Sequence, residues 1–459
     1  MIPDDTIAAI STPPGTGAIA IVRLSGPDAF AIIEQIFTAG RLTSPPELAS
    51  HVARYGFIRD PHSGEPVDEV VVIPYRAPHT YTGEDLVEVN CHGGPVITAA
   101  ILDLCLKLGA RLARPGEFTQ RAFLSGRIDL TQAEAVLDLI QAKTGRQRRM
   151  ALSALSGVVG EKIGTVRTAL LELLTRIVAG IDFPDEIGDA PEHDVAATLA
   201  ESIGALEVLA RTVRSGRFLR EGLRLAIVGR PNAGKSSLLN QLLKFERAIV
   251  TEIPGTTRDS LEELLDMNGI PVILVDTAGI RHTDDRVELI GMERTRKAVS
   301  ESDLVLVVAD LTEGWGQPED EILQMVDSRP FLLVANKLDL VSNGNLRAPA
   351  GQRENLIGSL KLSAKTGSGI AELTGAIESW VFRDEGRERQ ASLNARQTEL
   401  CLKAVAALRL AEATLAEGRP QDCLSSDLKA AVDALSEISG QAVSEEVIHN
   451  VFARFCIGK

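Results

Sequence analysis

The chain has 459 residues, 24% charged and 44% apolar, with a formal net charge of −15. This composition fits two or three globular domains with aliphatic cores, and the acidic balance excludes a surface coated for nonspecific nucleic-acid binding while leaving room for a local basic patch. Cys91, Cys105, Cys401, Cys423 and Cys456 form no CxxC pair, no apolar run nears the roughly 18–20 residues of a membrane span, and the start lacks a basic, apolar, small-residue signal; the expectation is a cytoplasmic chain without membrane, zinc or disulfides.

Residues 18–24, 70–74 and 85–90 read as strands separated by Gly/Pro-rich turns, which predicts a separate α/β domain over residues 1–122. Arg23 and Glu88 interrupt two of these apolar runs, and their ordinary reading is a solvent-facing pair on alternating strands. Residues 114–123 form a junction into helical sequence. Leu152, Leu155, Val159, Ile163, Val166, Leu170, Leu173 and Ile177 recur at three- and four-residue steps, predicting one long amphipathic helix. Lys143, Arg146, Arg148 and Arg149 precede it, a basic cluster open to two readings: a nucleic-acid contact or a solvated helix face.

The most informative stretch is Gly229-Arg230-Pro231-Asn232-Ala233-Gly234-Lys235-Ser236, placed between an apolar run (residues 223–228) and a helical one starting at Ser237. This is a P-loop in its proper strand–loop–helix context. Its N–H groups and the helix N-terminus wrap phosphates, Lys235 reaches the β- and γ-phosphates, and the Ser236 hydroxyl sits on Mg²⁺. Downstream, Thr251-Glu252-Ile253-Pro254-Gly255-Thr256-Thr257 reads as a switch loop with Thr257 as a second Mg²⁺ ligand. A strand at residues 272–275 ends in Asp276-Thr277-Ala278-Gly279, placing a carboxylate for water-mediated Mg²⁺ binding and an amide for the γ-phosphate. A third strand covers residues 304–309, and a fourth, residues 331–335, delivers Asn336-Lys337-Leu338-Asp339. The Asp339 carboxylate accepts from guanine N1–H and its 2-amino group, an edge adenine lacks. Ser363-Ala364-Lys365 matches the loop against the base. These motifs, in this order, predict a GTP-binding domain with a mostly parallel, Ras-like sheet over residues 221–382.

Where Ras-type GTPases carry a water-orienting Gln, this chain has Ile280, so hydrolysis must be organised by another group. Beyond residue 382, Leu400, Ala404, Leu408, Ala411 and Leu415, then Leu424, Leu428, Val432, Leu435 and Ile438, predict further helices. The simplest arrangement packs residues 123–220 with residues 383–459 as one split helical domain, the GTP-binding domain inserted between its halves. The fold class is α/β plus all-α.

Along its whole length the chain resembles the MnmE/TrmE family of tRNA-modification GTPases. The resemblance rests on Asp5-Thr6-Ile7-Ala8-Ala9, Thr12-Pro13-Pro14-Gly15, Tyr81-Thr82-Gly83-Glu84-Asp85, Cys91-His92-Gly93-Gly94, Ala113-Arg114-Pro115-Gly116-Glu117-Phe118, Asp182-Phe183-Pro184-Asp185-Glu186, the P-loop and the final Phe455-Cys456-Ile457-Gly458-Lys459. It implies a homodimer joined through a folate-binding N-terminal domain, working with the FAD-containing flavoprotein MnmG (GidA) in a heterotetramer, FAD being on that partner. Together they build the aminomethyl or carboxymethylaminomethyl group at carbon 5 of the wobble uridine of tRNA, from 5,10-methylenetetrahydrofolate, for which 5-formyltetrahydrofolate is a bound analogue. It further implies K⁺-dependent GTP hydrolysis, with K⁺ held by Asn232, Thr251, Ile253 and Thr256, Mg²⁺ by Ser236 and Thr257, and Glu288 as the catalytic water-orienting group. Folate is implied at Arg23, Glu88, Arg127 and Lys459, where Glu88 offers a carboxylate to the N–H edge of a pterin. Arg127 replaces the family's lysine, keeping charge and changing geometry. Cys456 resembles a prenylation cysteine only superficially, since Gly458 and Lys459 fit that signal poorly; the family implies a place near the folate.

Two other readings compete. A regulatory GTPase of ribosome assembly shares the P-loop and Ile280, but has no use for Arg23, Glu88 and a fixed tail. A stand-alone folate aminomethyltransferase lacks a reductant, because the chain has no Rossmann-type GxGxxG for a flavin.

Overall fold

The structure is a computed structural model that describes residues 4–39, 48–245, 247–248, 263–275, 288–326, 329–341, 354–383 and 392–459, with main chain alone at 247–248, 288–292 and 294. By internal contacts it divides into two units. One comprises residues 1–137, 155–171 and 429–459; the other comprises residues 138–154 and 172–428.

In the first unit, strands β1 (Ile7–Ile10), β2 (Ile19–Ser25), β3 (Phe37–Ala39), β4 (Arg54–Arg59), β5 (Pro66–Tyr75), β6 (Leu86–His92) and β7 (Arg111–Leu112) form one sheet. Their order is β3-β4-β5-β6-β2-β1-β7, antiparallel except for the β1–β7 pair. Helices α1 (Ala29–Ile36), α2 (Pro95–Lys107) and α3 (Glu117–Leu124) accompany it. Period-two alternation sends Val22, Leu24, Val87 and Val89 into a core with Ile32, Ile33 and Ile101. The intervening Arg23 and Glu88 therefore share the opposite face, and the register sets them directly across from each other. They are not solvent-facing: their side chains are 13% and 17% exposed and ion-paired. Residues 114–121 are tied down by charge. Arg121 and Glu117 are almost fully buried, with Arg121 reaching Asp5 and Glu84, and Arg111 reaching both Asp5 and Glu117. Burial alone raises the Glu117 pKa, but Arg111 and the Arg114 main-chain N–H hold it down at about 2.

Helices α4 (Leu130–Gln141), α5 (Gly145–Leu155), α6 (Val158–Asp182), α7 (Glu192–Arg211) and α8 (Val213–Glu221) follow. The single long helix expected over residues 152–177 is two helices. Gly157, at φ +90°, ends the first, a conformation side-chain-bearing residues rarely adopt. Leu152 is exposed, and Gln147, Ala151 and Ala154 are the buried residues of α5; the stripe from Val159 to Ile177 is buried as expected.

The second unit holds a sheet of strands β8 (Leu223–Gly229), β9 (Arg247–Ala248), β10 (Glu263–Met267), β11 (Ile270–Val275), β12 (Leu304–Asp310), β13 (Phe331–Asn336) and β14 (Leu356–Lys361). The order is β14-β13-β12-β8-β11-β10-β9, parallel from β14 to β11 and antiparallel at β10 and β9. Parallel strands are covered on both faces, which explains why β12 and β13 are buried at every residue. The helices beside this sheet are α9 (Lys235–Phe245), α10 (Glu288–Ser300), α11 (Gln317–Val326) and α12 (Ile370–Val381).

Helix α13 (Ala395–Ala416) opens with a capping box between Asn394 and Gln397 and packs along α7. Its seam runs Leu400, Ala404, Leu408, Ala411 and then Thr414, the last taking the buried place expected for Leu415. Helices α14 (Gln421–Ser439) and α15 (Glu445–Phe452) complete the chain. Within the first unit, Phe452 and Phe455 pack with Leu130 and Ala133, and this contact anchors the C-terminal tail. Among the described residues no helix is long and apolar enough to cross a membrane.

Candidate functional site

The nucleotide motifs converge where parallel strands end at their carboxyl edge. β8 ends at Gly229 and α9 begins at Lys235, so the loop between them lies just before a helix N-terminus, a setting that favours an anion. Asn232 is exposed with φ +64° and Gly234 has φ +95°, successive kinks that curl the loop. A side chain at Gly234 would run into Asn336 Nδ2, so the close approach itself requires glycine. Lys235 Nζ donates to the carbonyls of Gly229 (2.8 Å) and Arg230 (2.7 Å). Burial lowers its pKa to about 8, its hydrogen-bond acceptors among the described residues being main-chain dipoles. Ser236 stands in the first turn of α9 and Ser237, next to it, is exposed.

The base-reading loops are locked to the P-loop. Asn336 Nδ2 donates to the buried Ala233 carbonyl at 2.8 Å, and its Oδ1 accepts from the Ala364 N–H at 2.9 Å. One amide thus ties three loops together. Ser363 Oγ donates to Asp339 Oδ1 at 2.6 Å, orienting an otherwise exposed carboxylate. Lys365 is exposed beside it. Lys337, at φ +68°, pairs with Asp310 Oδ2 at 2.5 Å. Sequence reading missed Asp310; its position just after the apolar run of β12 was the available signal. Burial pushes the Asp310 carboxyl up, but Lys337 and Thr312 together hold it below the usual range.

The remaining expected nucleotide and ion ligands lie outside the described residues: Thr251, Glu252, Ile253, Pro254, Gly255, Thr256, Thr257, Asp276, Thr277, Ala278 and Gly279. Glu288 is the first residue of α10, with its main chain alone described.

A second site lies on the N-terminal sheet. A cavity of about 610 Å³ is lined by Arg23, Glu88 and Arg127, with Tyr75, Tyr81, His51 and His79. Arg23 donates to Glu88 Oε1 from Nε (3.0 Å) and Nη2 (2.7 Å), and its guanidinium lies about 5.5 Å from the Tyr81 and Phe118 rings. Tyr75 reaches Glu88 Oε2 at 3.4 Å, and burial first, then Glu88, raises the tyrosine pKa. Arg127 donates to the Tyr81 carbonyl at 3.0 Å and lies over its ring.

The C-terminal tail comes to the same place. The Gly458 carbonyl accepts from Ser11 Oγ at 2.9 Å and from Arg23 Nη1 at 3.5 Å, and the Phe118 N–H donates to the Lys459 carbonyl at 3.1 Å. Gly458 has φ +96°, and a side chain there would run into the Ile10 carbonyl. Burial, then Arg23, lowers the Lys459 pKa, with Glu88 opposing. The structure thus brings Arg23, Glu88, Arg127 and Lys459 to one site. Sequence reading missed the aromatic residues Tyr75 and Tyr81, although the position of Tyr81 in a family-matching stretch was a signal for one of them. Cys456 is exposed, and its carbonyl accepts from the Gly116 N–H.

Among the described residues no cluster of His, Cys, Asp or Glu is arranged to hold a metal ion. The cluster at residues 143–149 is partly structural. Arg146 pairs with Glu378 and lies 4.3 Å from the Phe382 ring, which takes it out of a solvated face.

Comparison with known proteins covers nearly the whole chain. The MnmE helical-domain family matches residues 130–456, and the family of GTP-binding protein TrmE N-termini matches residues 6–127. The tRNA modification GTPase MnmE of Moorella thermoacetica is 44% identical over 99% of this chain and 100% of that protein. Its counterpart from Symbiobacterium thermophilum is 46% identical over 99% and 100%. Among solved structures, Era bound to MgGDPNP and a 16S ribosomal RNA segment is 27% identical over 40% of this chain and 66% of that chain, with a TM-score of 0.27, too low to add to this reading.

Proposed function

The chain belongs to the MnmE/TrmE family, and on that premise we propose that it hydrolyses GTP in the service of tRNA modification. The observation that supports this best is the pairing, in one chain, of a guanine-type nucleotide end with a second, folate-sized pocket whose Arg23 is bonded to the chain's own C-terminal tail. A ribosome-assembly GTPase has use for the first of these and none for the second.

At the nucleotide end, Lys235 exchanges its loop carbonyls for the β- and γ-phosphates, Asp339 accepts from the guanine edge, and Asn336 keeps the two loops in register. Ser236 and Thr257 are assigned to Mg²⁺, which neutralises charge on the phosphates when bound. Asn232 offers a neutral oxygen beside the phosphates, and with Thr251, Ile253 and Thr256 it is assigned to K⁺. Glu288 is assigned to orienting water, the task Ile280 cannot perform.

The N-terminal pocket is assigned to a one-carbon tetrahydrofolate, 5,10-methylenetetrahydrofolate as substrate and 5-formyltetrahydrofolate as analogue. The fit is chemical: a part-buried carboxylate for the N–H edge of a pterin, aromatic walls for its ring, and Arg127 and Lys459 for an anionic tail. The folate supplies one carbon when bound; Glu88 and Arg23 orient it and the tail excludes water. Homodimerisation, a heterotetramer with an FAD-bearing MnmG (GidA) flavoprotein, a cytoplasmic setting and domains bounded near residues 122, 220 and 382 complete the reading.

The test is mass spectrometry of tRNA nucleosides from a strain lacking this chain. The carbon-5 aminomethyl-type group on the wobble uridine should vanish and return with the native gene. An unchanged nucleoside profile would overturn the proposal.

A further inference from the structure

The nucleotide sheet has a second feature at its opposite end. Asp303, Arg329 with Pro330, and Glu354 lead into the amino ends of β12, β13 and β14, and they border a groove of about 850 Å³. Its apolar lining is the part-buried Leu356, Leu360 and Ala376, with Leu332 and a stacked Phe218–Trp380 pair (ring centroids 5.6 Å apart) buried beneath. Four arginines, Arg214, Arg217, Arg329 and Arg383, line it against two carboxylates. Arg217 bonds Asp303 at 2.5 Å and the Arg214 guanidinium lies 4.0 Å from the Trp380 ring, so the rim is held in place and is net positive.

One wall is β14, the outermost strand of the sheet among the described residues. An outer strand presents alternating N–H and C=O groups with no strand beside them. Gly358 stands within it, at the register shift where β14 passes from pairing with Phe331 to pairing with Leu332 of β13. Its φ is not left-handed, and a Cβ would meet nothing closer than Leu332 Cδ2, at 3.8 Å. Glycine in a strand often marks such a bulge, and here it also leaves the outer backbone of β14 without a side chain over it.

We propose that this groove takes an extended acidic polypeptide segment, added as a strand along β14 with its carboxylates toward the arginine rim. A polypeptide offers donors and acceptors alternating at the spacing a strand edge needs, whereas a nucleic-acid backbone offers mainly phosphate acceptors, with 2′-hydroxyls in RNA at a different spacing. Phe218 and Trp380 are 3% and 5% exposed, which leaves no open ring for a base to stack on. The groove lies away from Lys235 and Asn336, so its occupant leaves the nucleotide end accessible.

The test uses fluorescence anisotropy on the full-length protein, with a labelled peptide of about ten residues alternating valine and glutamate, and a valine–lysine peptide as control. The acidic peptide should bind, the lysine peptide should not, and Gly358→Val and Arg329→Glu should each weaken binding by about tenfold or more. GTP hydrolysis should be unchanged in both variants. Arg329 is exposed, so its substitution carries the test should Gly358→Val fail to fold. No binding of the acidic peptide, equal binding by wild type and Arg329→Glu, or a loss confined to labelled tRNA would overturn the proposal.

Discussion

At the nucleotide end Lys235 is bonded to main-chain oxygens, whereas in the N-terminal pocket Arg23 is bonded to a carboxylate. The first cation is buried among dipoles and its pKa falls to about 8; the second is balanced before any ligand arrives. A triphosphate therefore restores to the P-loop the charge that burial disfavours. A ligand in the N-terminal pocket must instead share or divide an ion pair that already exists. The two sites of one chain should thus answer differently to the same kinds of perturbation.

The largest effect is expected at Asp339. Replacing it with Asn removes the acceptor for the guanine edge and should weaken GTP binding by about 100-fold, while xanthosine triphosphate binding strengthens, because an amide N–H₂ suits a carbonyl at the base's 2-position. Competition titration of the two nucleotides measures this. Affinities that move in the same direction would remove Asp339 as the base reader.

Next comes Glu88→Ala, which should cost on the order of 2–3 kcal/mol of 5-formyltetrahydrofolate affinity and leave GTP affinity unchanged. Because Arg23 and Tyr75 also depend on this carboxylate, Glu88→Gln should lose less than Glu88→Ala. Calorimetry with both ligands gives the answer, and an unchanged folate affinity in Glu88→Ala would show that the carboxylate serves Arg23 alone.

The smallest effect is the one that most sharply separates the two sites. Lys235 loses its proton near pH 8 in the free protein, and phosphates favour its charged form, so GTP binding takes up a proton above that pH. Affinity should be flat below about pH 8 and fall by up to about tenfold per pH unit above it, until the bound-state pKa is reached. Fluorescent-nucleotide titration across this range checks the slope. Lys235→Arg, charged throughout, should flatten the profile.

The nucleotide end was legible because its parts are contiguous. A P-loop, an NKxD and an SAK carry their geometry within a few residues, and the apolar runs before them mark the strands. Even there, sequence did not reveal that Asn336 joins the P-loop to the Ser363 loop, or that Asp310 holds Lys337, because both contacts span distant segments. The helical stripe over residues 152–177 misled for a related reason. Periodicity reports which face is apolar, and a single left-handed glycine at 157 can divide a helix without disturbing that spacing.

By itself the sequence determined the fold class, the identity of the nucleotide and the long apolar strands β2, β5, β6, β8, β11, β12 and β13, while the remaining strands of both sheets carried too weak a local pattern to be read. Alternation and motif spacing are local properties, and local sterics and hydrogen bonding express them directly. The tertiary structure decided the pocket at residues 23, 75, 88, 127 and 459. Read from alternation alone, Arg23 and Glu88 look like two solvent-facing charges until antiparallel register sets them opposite each other, and Lys459, placed with them in sequence only by family resemblance, comes there because Gly458, packed against Ile10, brings the tail in. Long-range pairing chooses such partners, because the free energy of a charge depends on what the fold puts beside it.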